Sequence, residues 1–180
     1  MRSAGEAHGV GLVHRDVKPG NILVVQRGGL PDVAKLLDFG LVHVSVPSGP
    51  TLTQKGMIAG TPAYMSPEQA AGKADPALDS DIYSLGAVAW FLLTGQPPFV
   101  RATAVETLAA HLTAAVSFQA LLDIGVPADL QAAILNCLEK DPARRFPSAE
   151  VLDLALTSCT CSNDWTPARA SDWWQRHEGA

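Results

Sequence analysis

The 180-residue sequence predicts a mainly α-helical domain with a short β-hairpin region near its start. Three observations carry that prediction. From Asp79 to Leu156, apolar residues recur at helical spacing in four separate runs. Before them, two short apolar segments flank the turn "RGGLPD", Arg27 to Asp32, as paired strands do. Hydrophobic residues make up 47% and charged residues 17%, which suits one globular domain with a sizeable core.

The elements follow in order. "MRSAGEAHGV", residues 1–10, reads as the tail of a helix. Leu12 to His14, Ile22 to Val25 and Ala34 to Leu37 read as short strands. Residues 41–60 are rich in Ser, Thr, Gly and Pro and lack periodicity. They form a long loop, and a loop of that length inside a compact domain is usually functional. Asp79 or Ser80 suits the cap of a helix running to about Leu93, with Gly95 just past its end. Ile82, Leu85, Val88, Ala89, Phe91 and Leu92 cover most of its circumference, which predicts a helix buried on all sides. "GQPPF", Gly95 to Phe99, breaks the chain. Ala104 to Thr113 makes a second helix, with Val105, Leu108 and Leu112 at helical spacing. Pro127 opens a third that runs to about Glu139, and Ala149 to Leu156 makes a fourth. The tail "WTPARASDWWQRHEGA" holds three of the four tryptophans and is expected to dock on the body.

Composition removes several function classes. A formal net charge of −5 argues against a general binder of nucleic acid or anionic membranes. The apolar run Leu85 to Leu93 is nine residues long, and a membrane span takes about 20. No long apolar core marks a signal peptide at the start. Three cysteines, an odd and low count, suit reduced thiols and a cytoplasmic setting. Cys159-Thr-Cys161 has no second Cys or His pair nearby, so it reads as a terminal segment and not as half of a metal site.

Five short motifs carry the chemistry. They are "HRDVKPGN" (His14 to Asn21), "LDFG" (Leu37 to Gly40), "GTPAYMSPE" (Gly60 to Glu68), "DSDIYSLG" (Asp79 to Gly86) and "DPARRF" (Asp141 to Phe146). In this order the set resembles the protein kinases, over roughly residues 5–158. It is most similar to bacterial serine/threonine kinases of the eukaryotic-like type, where "GTPAYMSPEQA" is a common form. Lys18, two residues after Asp16, is the serine/threonine form of the loop.

The resemblance implies a kinase-like large C-terminal lobe over residues 1–158, with residues 159–180 as a Trp-rich extension docked on it. It implies transfer of phosphate from ATP, with Mg²⁺, to the Ser or Thr of a protein substrate. Such transfer demands positioning and charge stabilisation more than covalent chemistry by the protein. Asp16 matches the catalytic base and Lys18 the cation beside the moving phosphate. Asn21, at the spacing D-x-x-x-x-N, and Asp38 match the magnesium ligands, since hard cations prefer oxygen. Phe39 packs behind Asp38, and Gly40 permits the backbone turn that aims it. Thr61 matches the hydroxyl that bonds to base and lysine. Arg15 matches the arginine that pairs with a loop phosphate, and Thr53, then Thr51, are the candidate phosphosites. His14 reads as a packed core histidine. Asp81 matches a buried acid that holds the catalytic loop, and Glu68 with Arg145 a buried ion pair.

One part of the pattern has no match. The sequence contains no G-x-G-x-x-G and no V-A-I-K, so the ATP-covering small lobe is expected to be absent from it. The expectation is a kinase fragment. Its alternatives are a non-catalytic lobe kept for binding, or half of a split kinase completed by a separate small lobe. No nucleic-acid partner and no membrane segment are expected.

Overall fold

The computed structural model describes residues 13–38, 61–73 and 77–177. Phe39, Gly40, Thr51, Thr53 and the long loop lie outside the described residues, as do residues 1–12. The order begins with a two-stranded antiparallel sheet, β1 (Ile22–Arg27) and β2 (Leu30–Leu36). Seven helices follow among the described residues: α1 (Pro67–Ala70), α2 (Leu78–Thr94), α3 (Ala104–Thr113), α4 (Gln119–Asp123), α5 (Ala128–Cys137), α6 (Ala149–Thr157) and α7 (Pro167–His177). The architecture is therefore mainly helical with one hairpin, as the sequence predicts.

The hairpin is longer than its apolar segments suggest. Arg27 pairs with Leu30, so the turn is only Gly28-Gly29, with φ of 58° and 78°. Left-handed angles at both central residues fit the tight turn whose twist matches paired strands, and glycine adopts them without strain. Pro31 and Asp32 are thus strand residues, which a two-stranded ribbon tolerates because each strand has a free edge.

The predicted strand at Leu12 to His14 is corrected. Val13 and His14 lie in no strand, because the loop finds another acceptor. The His14 and Arg15 amides donate to the two oxygens of Asp81, at 2.7 and 2.8 Å. A carboxylate that takes both amides replaces a ladder.

Helix α2 is the centre of the molecule. Tyr83, Ala87 and Trp90 pack with Leu121, Val126, Ile134 and Leu138 on one side. Ile82 packs with Cys137, Ala149 and Leu152 on another. Two expectations for α2 are corrected. Neither Asp79 nor Ser80 caps it; Ala77 holds that position, and the two residues serve tertiary contacts instead. Phe91 is only half-buried and Leu92 is 72% exposed, because the last turn runs past the packed helices. Its buried positions include Ser80, Asp81 and Ser84, polar residues that an apolar count passes over.

Helix α3 turns a different face inward from the one predicted. Thr107, Ala110 and His111 are buried, while Val105 and Leu112 are exposed. His111 accounts for this. Its Nδ1 lies 2.8 Å from the Tyr83 hydroxyl, and its ring meets Tyr83 and Phe99 edge-on. Lys140 completes the cluster, donating to the His111 carbonyl and lying 4.5 Å from the Phe99 ring centre.

Helices α1, α4 and α7 are additions to the elements read from the sequence. The tail meets the hairpin directly: the Trp165 and Trp174 indoles donate to the two oxygens of Asp32, at 2.6 and 2.7 Å. An apolar cavity of about 280 Å³ lies between the hairpin and helices α2, α5 and α6, lined by Ile22, Ala34, Leu36, Leu85, Leu92 and Leu156 among others. Among the described residues no helix is long and apolar enough to cross a membrane.

Candidate active site

The loop from His14 to Asn21 is built around a residue in an unusual conformation. Arg15 has φ of 68°, a left-handed angle that costs energy for a side chain of its size. Both of its peptide groups are held. Asp81 accepts its amide, and Gln69 Nε2 donates to its carbonyl at 2.8 Å. Asp81 is 1% exposed at the start of α2, so its carboxylate is aimed by the most buried helix of the molecule. Gln69 is fixed in turn by a capping box, in which its oxygen accepts the Ser66 amide and the Ser66 hydroxyl accepts the Gln69 amide.

This clamp presents Asp16. Its Oδ2 accepts from Lys18 Nζ at 2.7 Å and from Asn21 Nδ2 at 3.1 Å. Asn21 Nδ2 also donates to the Asp16 carbonyl at 2.8 Å. The Asn21 amide nitrogen is therefore committed to Asp16, and its oxygen points the other way. Lys18 and Asp16 are partly exposed, so their ion pair adds little stability and chiefly fixes geometry.

The hairpin delivers the second acid. The Leu37 amide donates to the Asn21 carbonyl at 2.8 Å, which closes the two ends of the ribbon beside each other. His14 is 1% exposed and bridges the same point. Its Nε2 lies 2.7 Å from the Leu37 carbonyl, which can only accept, so Nε2 carries the proton. Its Nδ1 then accepts the Asp16 amide, at 3.3 Å. Asp38 follows at once, exposed and with φ of 54°. Asp16, Lys18 and Asn21 are thus in mutual contact, and Asp38 emerges next to them from the strand.

The other predicted residues lie on the segment after the long loop and on the helical body. Thr61 precedes the turn Pro62–Tyr64 and is half-buried. Among the described residues its hydroxyl makes no hydrogen bond to Asp16 or Lys18, which already bond to each other. Glu68 and Arg145 form a buried bidentate pair, at 2.7 and 2.9 Å, and Ser80 donates to Glu68 at 2.6 Å. Burial alone would raise the Glu68 pKa. The bonds from Arg145 and Ser80, with the Arg145 charge, outweigh it and hold the carboxyl below its ordinary range. This pair fixes α1, and α1 carries Gln69.

Gln69 is the site residue that sequence reasoning missed. The spacing Ser66-x-x-Gln69 was a visible capping signal, but its reach to Arg15 spans 54 positions.

Comparison with known proteins decides the family. The protein kinase domain family matches residues 6–156. This chain belongs to the protein kinase family. Its curated relatives include the serine/threonine-protein kinase pkn3 of Myxococcus xanthus, 40% identical over 162 residues, covering 87% of this chain and 29% of that protein. PknB of Mycobacterium tuberculosis is 38% identical over 143 residues, covering 79% and 22%. Both are serine/threonine kinases, so the chain groups with bacterial kinases of the eukaryotic-like type. Among solved structures, a crystal structure of Rad53 1–466 in complex with AMP-PNP superposes with a TM-score of 0.65 at 27% identity, covering 84% of this chain and 36% of that one. The kinase-like fold follows from both comparisons. The chain spans less than a third of the length of either curated relative.

Proposed function

We propose that this chain bears the acid-bearing face of a serine/threonine protein kinase, which moves a phosphoryl group from ATP to a Ser or Thr hydroxyl of a protein. The observation that supports it is the triad of contacts at Asp16. A carboxylate is held by Lys18 and Asn21 on a loop pinned by Asp81, with Asp38 arriving alongside.

Each residue has a distinct task. The Asp16 carboxylate orients the acceptor hydroxyl and takes its proton as the oxygen attacks phosphorus. Lys18 meets negative charge on the phosphate in motion. The Asn21 oxygen and the Asp38 carboxylate are hard oxygen donors, the kind Mg²⁺ takes alongside waters. They fit that cation on donor chemistry, and the committed Asn21 nitrogen leaves its oxygen for the task. When bound, magnesium ATP supplies the phosphoryl group, its cation offsetting the phosphate charge. Arg15 is assigned to pair with a phosphate on the long loop, on Thr53 first and Thr51 second. Thr61 is assigned to the acceptor side of the site. A kinase of this kind works where ATP is plentiful, in the cytoplasm. The cover over the nucleotide, a small lobe with its Gly-rich loop and lysine, comes from outside these 180 residues.

The test is phosphate transfer with and without that cover. The chain is assayed alone, and joined to the small lobe of a related kinase, with radiolabelled ATP, Mg²⁺ and a basic protein acceptor. The joined protein is expected to label the acceptor and its own Thr53. Asp16→Asn and Asp38→Ala are each expected to lower the rate by at least about a hundredfold. The chain alone is expected to stay at background. Transfer that survives Asp38→Ala would remove the assignment, and a joined protein that binds ATP without transfer would favour a binding module.

A further inference from the structure

The kinase reading leaves one cluster unused, where the C-terminal segment meets the hairpin. Asp32 sits on β2 with φ of 57°, a left-handed angle that aspartate tolerates better than most residues. Its two carboxylate oxygens each receive one indole N–H. Trp165 donates to Oδ2 at 2.6 Å and Trp174 to Oδ1 at 2.7 Å. The donors come from just before α7 and from its third turn. Ala170, one helical turn before Trp174 and therefore on the same face, is 2% exposed. Trp173 gives no N–H to Asp32, although its ring meets that of Trp174 edge-on with centres 5.3 Å apart. It stacks on His177, with ring centres 4.2 Å apart, on a different face of α7.

A two-stranded ribbon is marginal by itself in water. This one turns Ile22, Ala34 and Leu36 toward a cavity instead of a filled core. It nevertheless has to hold its two ends, Asn21 and Leu37, in register. The Asp32 contacts supply support from the C-terminal segment, and they are charge-assisted, the stronger class of hydrogen bond.

We infer that Asp32 is a docking seat for the tryptophan segment Trp165–His177, and that the seated segment acts as a latch holding the hairpin closed. Carboxylate and indole are matched: an acceptor with no proton to give meets donors with no lone pair to offer. The seat reads N–H groups and not ring area. Its consequence for Asn21 and Asp38 rests on the kinase reading above, while the latch itself does not.

Amide hydrogen exchange on the 180-residue chain, without nucleotide, tests the latch separately from the kinase reading. Asp32→Asn keeps the left-handed turn and makes one acceptor oxygen a donor. Trp165→Phe with Trp174→Phe keeps the rings and removes both N–H groups. Asp32→Asn is expected to speed exchange across residues 22–37, Leu37 included, by about tenfold, the effect of losing one charge-assisted bond, and the double variant, which loses both, by more than that. Trp173→Phe keeps a ring beside Trp174 and removes an N–H that Asp32 does not receive, so it is expected to leave those rates unchanged. Parental exchange in the hairpin of Asp32→Asn would overturn the latch. Equal acceleration in Trp173→Phe would overturn its dependence on the N–H groups. Should the double variant lose its helical circular dichroism, Asp32→Asn alone decides.

Discussion

Arg145 carries five N–H donors and is only 5% exposed, so the protein must supply its acceptors. It does so with the Glu68 carboxylate and with the carbonyls of Asp79, Glu139 and Lys140. The guanidinium also lies 5.0 Å from the Tyr83 ring centre. Such a residue fixes geometry more surely than it adds stability. Arg145→Met alone would leave the Glu68 charge buried with only Ser80 beside it. Urea denaturation is expected to show a loss of about 3–5 kcal/mol. The double variant Glu68→Leu, Arg145→Met removes both charges and is expected to recover most of that loss. An equal loss in the two proteins would mean that the pair acts through packing alone. The pair was legible in the sequence because each partner sits inside a recognisable motif. Gln69 was not, although it is next to Glu68. Its task depends on the left-handed turn at Arg15, and no local pattern announces a backbone angle set by partners 54 and 66 positions away.

Elements meet in this protein at small residues. Helices α2 and α5 cross at Gly86, where an added Cβ would lie 2.5 Å from Cys137 Cβ and 3.3 Å from Leu138 Cγ. The first of those atoms is fixed to the α5 backbone, so no rotamer change relieves it. Gly86→Ala should force the helices apart and cost about 1–3 kcal/mol, although alanine suits a helix better. Gly20→Ala, where a Cβ meets nothing within 4 Å, is the control, and its midpoint is expected to stay near the parent's. A thermal melt compares them. If Gly86→Ala melts with the parent, the crossing is looser than the contact distances imply. At this scale the sequence was read well where apolar periodicity and burial coincide, as in α5, α6 and the middle of α2, where Ile82, Ala87 and Val88 are buried. It was read poorly where polar residues do the burying. On α3 the apolar residues Val105 and Leu112 mark the solvent face, because the inward position belongs to His111. The strands were cut short for the opposite reason. The Gly28-Gly29 signal was subsumed in a longer turn containing Pro31 and Asp32. The short ribbon keeps Pro31, Asp32 and exposed Leu23 and Val24 because, among the described residues, neither edge is covered by another strand.

Protonation acts on the molecule as a whole, since a buried group that resists charging ties the entire fold to pH. His111 is fully buried among Tyr83 of α2, Phe99 and Lys140. Burial, and next the Lys140 charge, lower its pKa from 6.5 to about 4. The hydrogen bonds agree on the neutral form. The Lys140 ammonium lies 3.4 Å from the Tyr83 hydroxyl and donates to it, so Tyr83 gives its own proton to His111 Nδ1. Below pH 6.5 the unfolded chain takes up a proton at this position, and the folded protein does not until about pH 4. The unfolded state therefore binds more protons in that window, and stability must fall as pH falls through it. The contribution is complete above pH 6.5. Its full size is on the order of 3 kcal/mol, since the folded value of about 4 lies well below the ordinary 6.5. Glu68 acts lower. Its folded pKa lies below the usual 4.5, so its contribution is present above that value and is lost as pH drops through the folded one. The two losses follow one another on the acid side. His111→Asn offers Tyr83 an acceptor that does not titrate. Urea denaturation at intervals from pH 7.5 to 4 is expected to show the parent losing stability from about pH 6.5 downward, and His111→Asn holding nearly level until Glu68 begins to protonate. Parallel curves for the two proteins over pH 6.5 to 4 would show that His111 is not the group that couples this fold to acid.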